Sequence, residues 1–289
     1  MKIIYAADLH GIKTLYSQLF HLTRQLRPNA IIIGGDMFPS HGPIDTSIKD
    51  QRDFIADFLK TELQKIKSEL TLFEFYGMMG NDDWLVNMPF LEELQEQSLL
   101  KLLHFKKRHL GKDFEIIGYG NIPPTPFSNK ESERIDIPSA PREPQLSAAC
   151  VSTHEGIIKI DAQSHFNSHS TIEEELEMLP PVKSWQKTVY VMHAPPYQSN
   201  LDLLYDGRSI GSRAISRFIE KHQPYLTLHG HIHEAPSLSG TYFNRIGKTI
   251  CINPGHSTSK LYAVVFDLEN VMDSLHHTVF DKVGKEFVY

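Results

Sequence analysis

The sequence predicts an α/β domain built around a parallel sheet. Strand-like and helix-like segments alternate through the first 76 residues, in the order β, α, β, α, β. Apolar β-type runs also end repeatedly in Gly, Asp, Asn or His, as expected where parallel strands deliver side chains to a ligand. With 289 residues and 40% hydrophobic content, the chain can bury one large core or two smaller ones.

The segments follow in order. Lys2–Ala7 (KIIYAA) is a short apolar strand, and Ile12–Leu26 places Leu15, Leu19, Leu22 and Leu26 at helical spacing before Pro28 stops it. Ala30–Ile33 (AIII) is a buried-type strand closed by Gly34-Gly35. Asp50–Leu70 reads as an amphipathic helix with Phe54, Phe58 and Ile66 on one side, and Leu72–Tyr76 as the third strand. Phe90–Gln97 suggests a helix, with Lys101–Phe105 and Phe114–Ile117 as weaker strands.

The six prolines in Asn121–Ser147 then predict a loop or partly disordered excursion. Thr171 followed by Glu174 forms a capping-box pattern that opens a helix over Ile172–Leu179. Order returns with the strand Thr188–Met192, a helix over Ser209–Lys221 and the strand Tyr225–Leu228. Strands over Thr249–Ile252, Leu261–Asp267 and Thr278–Phe280 follow. The Pro/Ser-rich insertion near 121–180 is expected to embellish a single domain spanning 1–289.

Composition narrows the function. The net charge of −6, with no basic tract longer than Lys106-Lys107-Arg108, argues against stable nucleic-acid binding and against attraction to an anionic membrane. Cys150 and Cys251 alone do not make a disulfide framework or a CxxC metal motif. The N-terminus lacks a signal-peptide pattern, and no apolar stretch reaches 18 residues, so the expected location is cytoplasmic.

The 16 histidines draw attention because imidazole is the commonest nitrogen ligand for metals. Five strand-like runs end in ligand-capable residues: Asp8-Leu9-His10-Gly11, Gly34-Gly35-Asp36, Gly80-Asn81-Asp82-Asp83, His193 and His229-Gly230-His231-Ile232-His233. Each has a bland reading as a turn or cap. Together they are harder to explain that way, because parallel strands bring their carboxyl ends to one edge. Carboxylate, amide oxygen and imidazole together suit borderline divalent ions, and His-x-His puts two rings on one side of an extended segment.

In that order, Asp-x-His, Gly-Gly-Asp, Gly-Asn-x-Asp, His and Gly-His-x-His resemble the calcineurin-like metallophosphoesterase superfamily. The matches run over residues 8–233, and Ile252-Asn253-Pro254-Gly255 also looks like this family. The stretch from His193 to Glu234 is most similar to small prokaryotic Icc-type phosphodiesterase-like proteins. The resemblance implies a four-layer α/β/β/α sandwich of two mixed β-sheets with a dinuclear metal centre at its edge. By position, Asp8, His10, Asp36 and His233 would hold one metal. Asp36, Asn81, His193 and His231 would hold the other, with Asp36 as bridge. It implies Mn²⁺ first, with Fe²⁺, Zn²⁺ or Ni²⁺ as other candidates. The reaction implied is hydrolysis of a small phosphorylated substrate, most simply a phosphodiester, by a hydroxide bridging the two metals.

One position departs from the family pattern. Many members have His after the motif's Asn, where it assists the phosphoryl group or its leaving oxygen. Here that position is Asp82, while Asp83 keeps the next acidic position. Asp36, His193 and Asp82 are therefore the expected catalytic positions, with activity restricted by the absent imidazole. A loop histidine (His41, His154, His165 or His169) is a candidate replacement. Arg208 and Arg213 are candidate phosphate clamps. The competing reading is a non-catalytic scaffold or binding protein that keeps the fold, and a homo-oligomer stays open.

Overall fold

The computed structural model describes residues 1–139 and 148–280. The first half contains β1 (Lys2–Ala6), α1 (Lys13–Leu26), β2 (Ala30–Ile33), α2 (Ile44–Asp53), α3 (Lys60–Glu69), β3 (Glu74–Gly77), α4 (Met88–Glu96), β4 (Lys101–Leu102), β5 (Lys107–Leu110) and β6 (Phe114–Tyr119). After it come the hairpin β7 (Cys150–Thr153) and β8 (Gly156–Lys159), α5 (Ala162–Asn167), α6 (Ile172–Glu177), β9 (Thr188–Met192), α7 (Arg213–His222) and β10 (Leu226–Leu228). The chain continues through α8 (Ala235–Ser239), β11 (Phe243–Ile246), β12 (Thr249–Ile252), β13 (Val264–Asp267), α9 (Val271–Ser274) and β14 (His276–His277).

The strands form two six-stranded mixed sheets, ordered β14-β13-β1-β2-β3-β4 and β11-β12-β10-β9-β6-β5. In the first, β1 to β4 are parallel and β13 and β14 antiparallel. In the second, β12, β10, β9 and β6 are parallel, and antiparallel β11 and β5 close the edges.

Strand alternation sorts the side chains into three apolar layers, because successive residues face opposite sides of a sheet. Ile4, Ala6, Ile31, Ile33 and Phe75 pack outward against Leu15, Leu19, Phe54 and Leu63 of the helical face. Ile3, Tyr5, Ile32 and Tyr76 face Val189, Val191, Leu226 and Ile252 of the other sheet. On the far side Tyr190, Met192 and Cys251 meet Leu176, Ile215, Phe218 and Ile219. Helix, sheet, sheet and helix therefore stack in four layers, as the resemblance implied.

Several elements differ from expectation. The five ligand-bearing strand ends do not share one sheet: β1, β2 and β3 belong to the first, β9 and β10 to the second. The helix expected from Asp50 starts at Ile44, and a π-helical turn over Phe54–Leu59 joins α2 to α3. Its first part escaped the periodicity because Gln51 is the buried residue of α2, leaving no apolar stripe. Edge strands β5 and β11 and the β7–β8 hairpin were also missed. Their polar or half-exposed residues suit a sheet edge and lack core alternation.

The expected excursion at 121–147 is a packed loop over its described part, with Lys130, Glu131, Ser132 and Glu133 buried. Residues 140–147 lie outside the described residues. The capping box at Thr171 and Glu174 is present, opening α6. Cys150 and Cys251 are free and buried. Among the described residues no helix is long and apolar enough to cross a membrane.

His277 pins the second edge of the first sheet. Its Nε2 donates to Pro254 O at 2.9 Å, and its Nδ1 accepts from the amides of Val279 and Phe280 at 3.0 and 3.1 Å. A second ring proton would face two donors, and burial carries the pKa from 6.5 down to about 4. The folded state therefore resists a proton that the unfolded chain takes up below 6.5. The neutral ring's contribution is present in full above pH 6.5 and is lost as pH falls towards 4, by at most about 3 kcal/mol at 1.36 kcal/mol per pKa unit. Urea titrations from pH 7 to 4 should show a flatter stability profile for His277→Gln than for wild type. Parallel profiles would rule out this contribution.

Candidate metal centre

The turns after β1 and β2 run side by side. Asp8 N donates to Gly35 O at 3.1 Å, His10 N to Asp36 O at 2.9 Å and Gly11 N to Met37 O at 3.0 Å. Asp8, His10, Asp36 and His231 all adopt positive φ, at 55°, 44°, 48° and 66°. Non-glycine residues pay for that conformation, so four of them in one place mark a strained site held by its surroundings.

The other sheet supplies His193 and the His231–His233 loop. Tyr5 of β1 crosses the interior to donate to His229 O at 2.6 Å. The His229 ring contacts Met192 O and Ala194 O at 2.9 Å through Nδ1, and Thr227 Oγ1 at 2.8 Å through Nε2. It braces the ends of β9 and β10, and burial carries its pKa down to about 4. Asn253, also buried, donates to Leu201 O and Ile232 O at 2.9 and 3.1 Å, holding the His231–His233 loop from behind.

The strand ends converge on one oxygen- and nitrogen-rich spot. His193 Nδ1 donates to Gly34 O at 2.8 Å, which fixes the orientation of the ring. Nε2 then faces Asn81 Oδ1 at 3.1 Å, Asp36 Oδ2 at 3.3 Å and Asp8 Oδ1 at 3.8 Å. His10 Nε2 and His233 Nε2 are 3.2 Å apart, and His233 Nε2 is 3.6 Å from Asp8 Oδ1. The His231 amide donates to both Asp8 oxygens at 3.1 and 3.0 Å, and its ring centroid is 5.4 Å from that of His193. Three overlapping groups have ligand atoms within 4.8 Å of one another: Asp8, His10 and His233; Asp8, Asp36 and His193; and His10, Asp36 and Asp82.

This donor set fits divalent cations. Carboxylates, a carboxamide and imidazoles form the mixed oxygen and nitrogen set that borderline ions prefer. A Cβ on Gly80 would come within 2.3 Å of Asp36 Oδ1 and 2.8 Å of His193 Nε2, and one on Gly230 within 2.5 Å of Asp8 Oδ2. The main chain thus leaves the ligand atoms clear. Burial resists charge on Asp8 and Asp36, yet neighbouring imidazoles hold both carboxyls below their ordinary value. Burial likewise opposes a charge on His193, but Asp36 and Asp8 carry its pKa up to about 10. The carboxylates therefore call for positive charge in this spot.

The two aspartates of GNDD separate clearly. Asp83 is fully buried and accepts from Gly80 N, Met37 N and Phe38 N, each at 3.0 Å. It stitches the β2 and β3 turns together. Asp82 is partly exposed, its amide donates to Asp36 Oδ1 at 2.9 Å, and its side chain accepts from Asn81 Nδ2 at 2.9 Å. Burial, then Asp36, pushes its carboxyl up to about 7.

The remaining expected residues lie elsewhere or at the rim. Arg208 pairs with Asp206 on an exposed loop at 2.7 Å, and the Arg213 guanidinium stacks 3.9 Å from the Tyr197 ring centroid. His165 contacts Lys130 O at 3.0 Å, His169 contacts His165 O, and His154 sits in the β7–β8 turn. His41 comes near, its ring 5.9 Å from that of His10.

Sequence reading missed His256, whose ring lies 4.7 Å from His233 and 5.2 Å from His10. Its signal was present: β12 is another parallel strand, and Asn253-Pro254-Gly255-His256 follows its carboxyl end.

A family model for the calcineurin-like phosphoesterases matches residues 1–235. The chain belongs to this family. Calcineurin-like phosphoesterases are dinuclear, metal-dependent enzymes, and the chain is a metal-dependent phosphoesterase by that membership. One solved crystal structure is similar at 16% identity and TM-score 0.60, over 98% of each chain. A Thermus thermophilus protein is similar at 17% identity and TM-score 0.53, over 96% of this chain and 97% of its own. Both likenesses speak to the fold. No curated protein matches the sequence significantly.

Removing the two aspartates should have unequal consequences for stability. Asp83→Ala strands three buried N–H groups and should cost about 3 kcal/mol or more, whereas Asp82→Ala should cost about 1 kcal/mol or less. Urea unfolding of the metal-free variants checks this. Equal losses would contradict the assignment of Asp83 as the structural member.

Proposed function

We propose that this chain is a phosphodiesterase that works with two divalent cations, Mn²⁺ first among them. Asp8, His10, Asp36 and His233 would hold one cation, and Asp36, Asn81, His193 and His231 the other. The observation that carries the reading is Asp36: it belongs to two of the overlapping ligand groups and lies between residues from both sheets. Bound cations would neutralise charge on the phosphoryl oxygens and acidify water for attack.

The chain's own part is positioning. Gly34 O accepts from His193 Nδ1, so Nε2 is the nitrogen turned towards the site. The His231 amide holds Asp8, and the Asp82 amide holds Asp36. Asp8 and Asp36 are buried, so their charge acts at low dielectric, where it is strongest. No side chain is required as nucleophile.

Position 82 supports a restricted substrate range. A carboxylate there offers no positive charge to a phosphoryl oxygen, and an ionised one repels it. Diesters and substrates with good leaving groups should therefore be preferred over unactivated monoesters.

Mn²⁺-loaded protein should hydrolyse bis(p-nitrophenyl) phosphate with higher kcat/KM than p-nitrophenyl phosphate. Asp36→Asn and His193→Ala should each lower diester turnover by about 100-fold or more. A clear monoester preference would refute the restriction. Diester turnover unaffected by both substitutions would refute the metal assignment, and absence of any turnover would favour a binding role.

A further inference from the structure

We propose that Asp82 is a positioning residue, which turns the Asn81 amide and, with Ser40, the His10 imidazole so that both direct lone pairs into the cation site. This rests on the cation reading above and gives position 82 a task of its own.

Asp82 is fixed before its side chain is considered. Its amide donates to Asp36 Oδ1 at 2.9 Å, and its carbonyl accepts from Gln51 Nε2 of α2 at 2.8 Å. The same glutamine accepts from Trp84 N at 2.8 Å. The main chain is therefore clamped on both sides, and the Asp82 carboxyl lies between Asn81 and His10.

One oxygen serves Asn81. A carboxamide presents a donor on one side and an acceptor on the other, and its orientation is set by its partners. Asn81 Nδ2 donates to Asp82 Oδ1 at 2.9 Å, which turns Asn81 Oδ1 towards His193 Nε2, 3.1 Å away. Asn129 holds the same residue from behind, donating through Nδ2 to Asn81 O at 2.9 Å. With the main chain held there, Asp82 decides which end of the amide faces the site.

The second oxygen serves His10. Asp82 Oδ2 lies 3.5 Å from His10 Nδ1, and Ser40 Oγ lies 2.9 Å from the same nitrogen. A proton on Nδ1 points at Ser40 Oγ, with the Asp82 oxygen beside it at ion-pair distance, and Nε2 then keeps its lone pair facing His233 Nε2. Carboxylates behind a ligating imidazole fix its tautomer and orientation in this way, and their loss commonly weakens metal binding by about 10–100-fold. An imidazole at position 82 could reach towards substrate but would lose the paired acceptor oxygens.

The test compares wild type with Asp82→Ala and Asp82→Asn. Mn²⁺ affinity is read from the electron paramagnetic resonance signal of free Mn²⁺, and the His10 tautomer from ¹⁵N NMR of metal-free protein. Asp82→Ala should weaken the tighter Mn²⁺ site by roughly 10–100-fold. Asp82→Asn keeps a carbonyl acceptor for Asn81 and should recover most of that loss. Metal-free wild type should show His10 protonated at Nδ1, and Asp82→Ala a mixture of tautomers.

Unchanged Mn²⁺ affinity in Asp82→Ala overturns the proposal, whatever the tautomer. Weakened affinity with an unchanged tautomer overturns the His10 half and supports the Asn81 half. A wild-type protein that binds no Mn²⁺ overturns the Mn²⁺ reading itself, an outcome distinct from the other two.

Discussion

The structure depends on keeping two carboxylates, Asp8 and Asp36, buried together where the two sheets meet. Burying charge costs several kcal/mol per ion unless it is paired and hydrogen-bonded. Most features of this edge meet that demand. Amides of His231 and Asp82 point at the carboxylates, and imidazoles arrive from β9 and from the loop after β10. Left-handed backbone at Asp8, His10, Asp36 and His231 turns the side chains inward at the cost of strain. The bond from Tyr5 to His229 O locks the sheets in the register that brings both halves together.

The centre was legible because its parts follow short, continuous apolar runs, the mark of strands buried on both faces. Ala30–Ile33, Thr188–Met192 and Thr249–Ile252 carry enough buried β-branched residues to fix their boundaries, and they are found as expected. Their division between two sheets was not legible from pattern alone. A buried parallel strand looks the same whichever sheet receives it, and the resemblance, rather than the pattern, supplied the second sheet. Edge strands β5 and β11 have one partner and partly exposed faces, so the apolar signal is diluted. His256 was passed over for a different reason: it follows a strand end as the other candidates do, but no second ligand-type residue at metal spacing stands beside it, and its place near His233 comes from the turn after β12.

The turn at residues 80–87 shows how a short polar motif acquires a fixed shape. Gln51 holds it from α2, Asp83 holds it to the β2 turn, and Asn129 and Glu131 hold it from the packed loop after β6. Glu131 accepts from Leu85 N at 2.8 Å and from Ser152 N at 2.6 Å, joining the β7–β8 hairpin to the same turn. Sequence spacing gives no hint of these partners, because they lie some 30 to 70 residues away. The long region after β6 thus has a physical connection to the centre. It braces the turn that carries Asn81 and, among the described residues, supplies no ligand atom to the clusters.

In the proposed centre the two buried carboxylates share cations, with Asp36 common to both. The most direct measurement is metal per chain after Mn²⁺ loading and desalting, by elemental analysis of wild type and Asp36→Asn, with circular dichroism confirming that both are folded. About two Mn²⁺ per wild-type chain are expected, and about one or none in Asp36→Asn, since a shared ligand serves both ions. Wild type without Mn²⁺, or a folded Asp36→Asn with the wild-type stoichiometry, would contradict it.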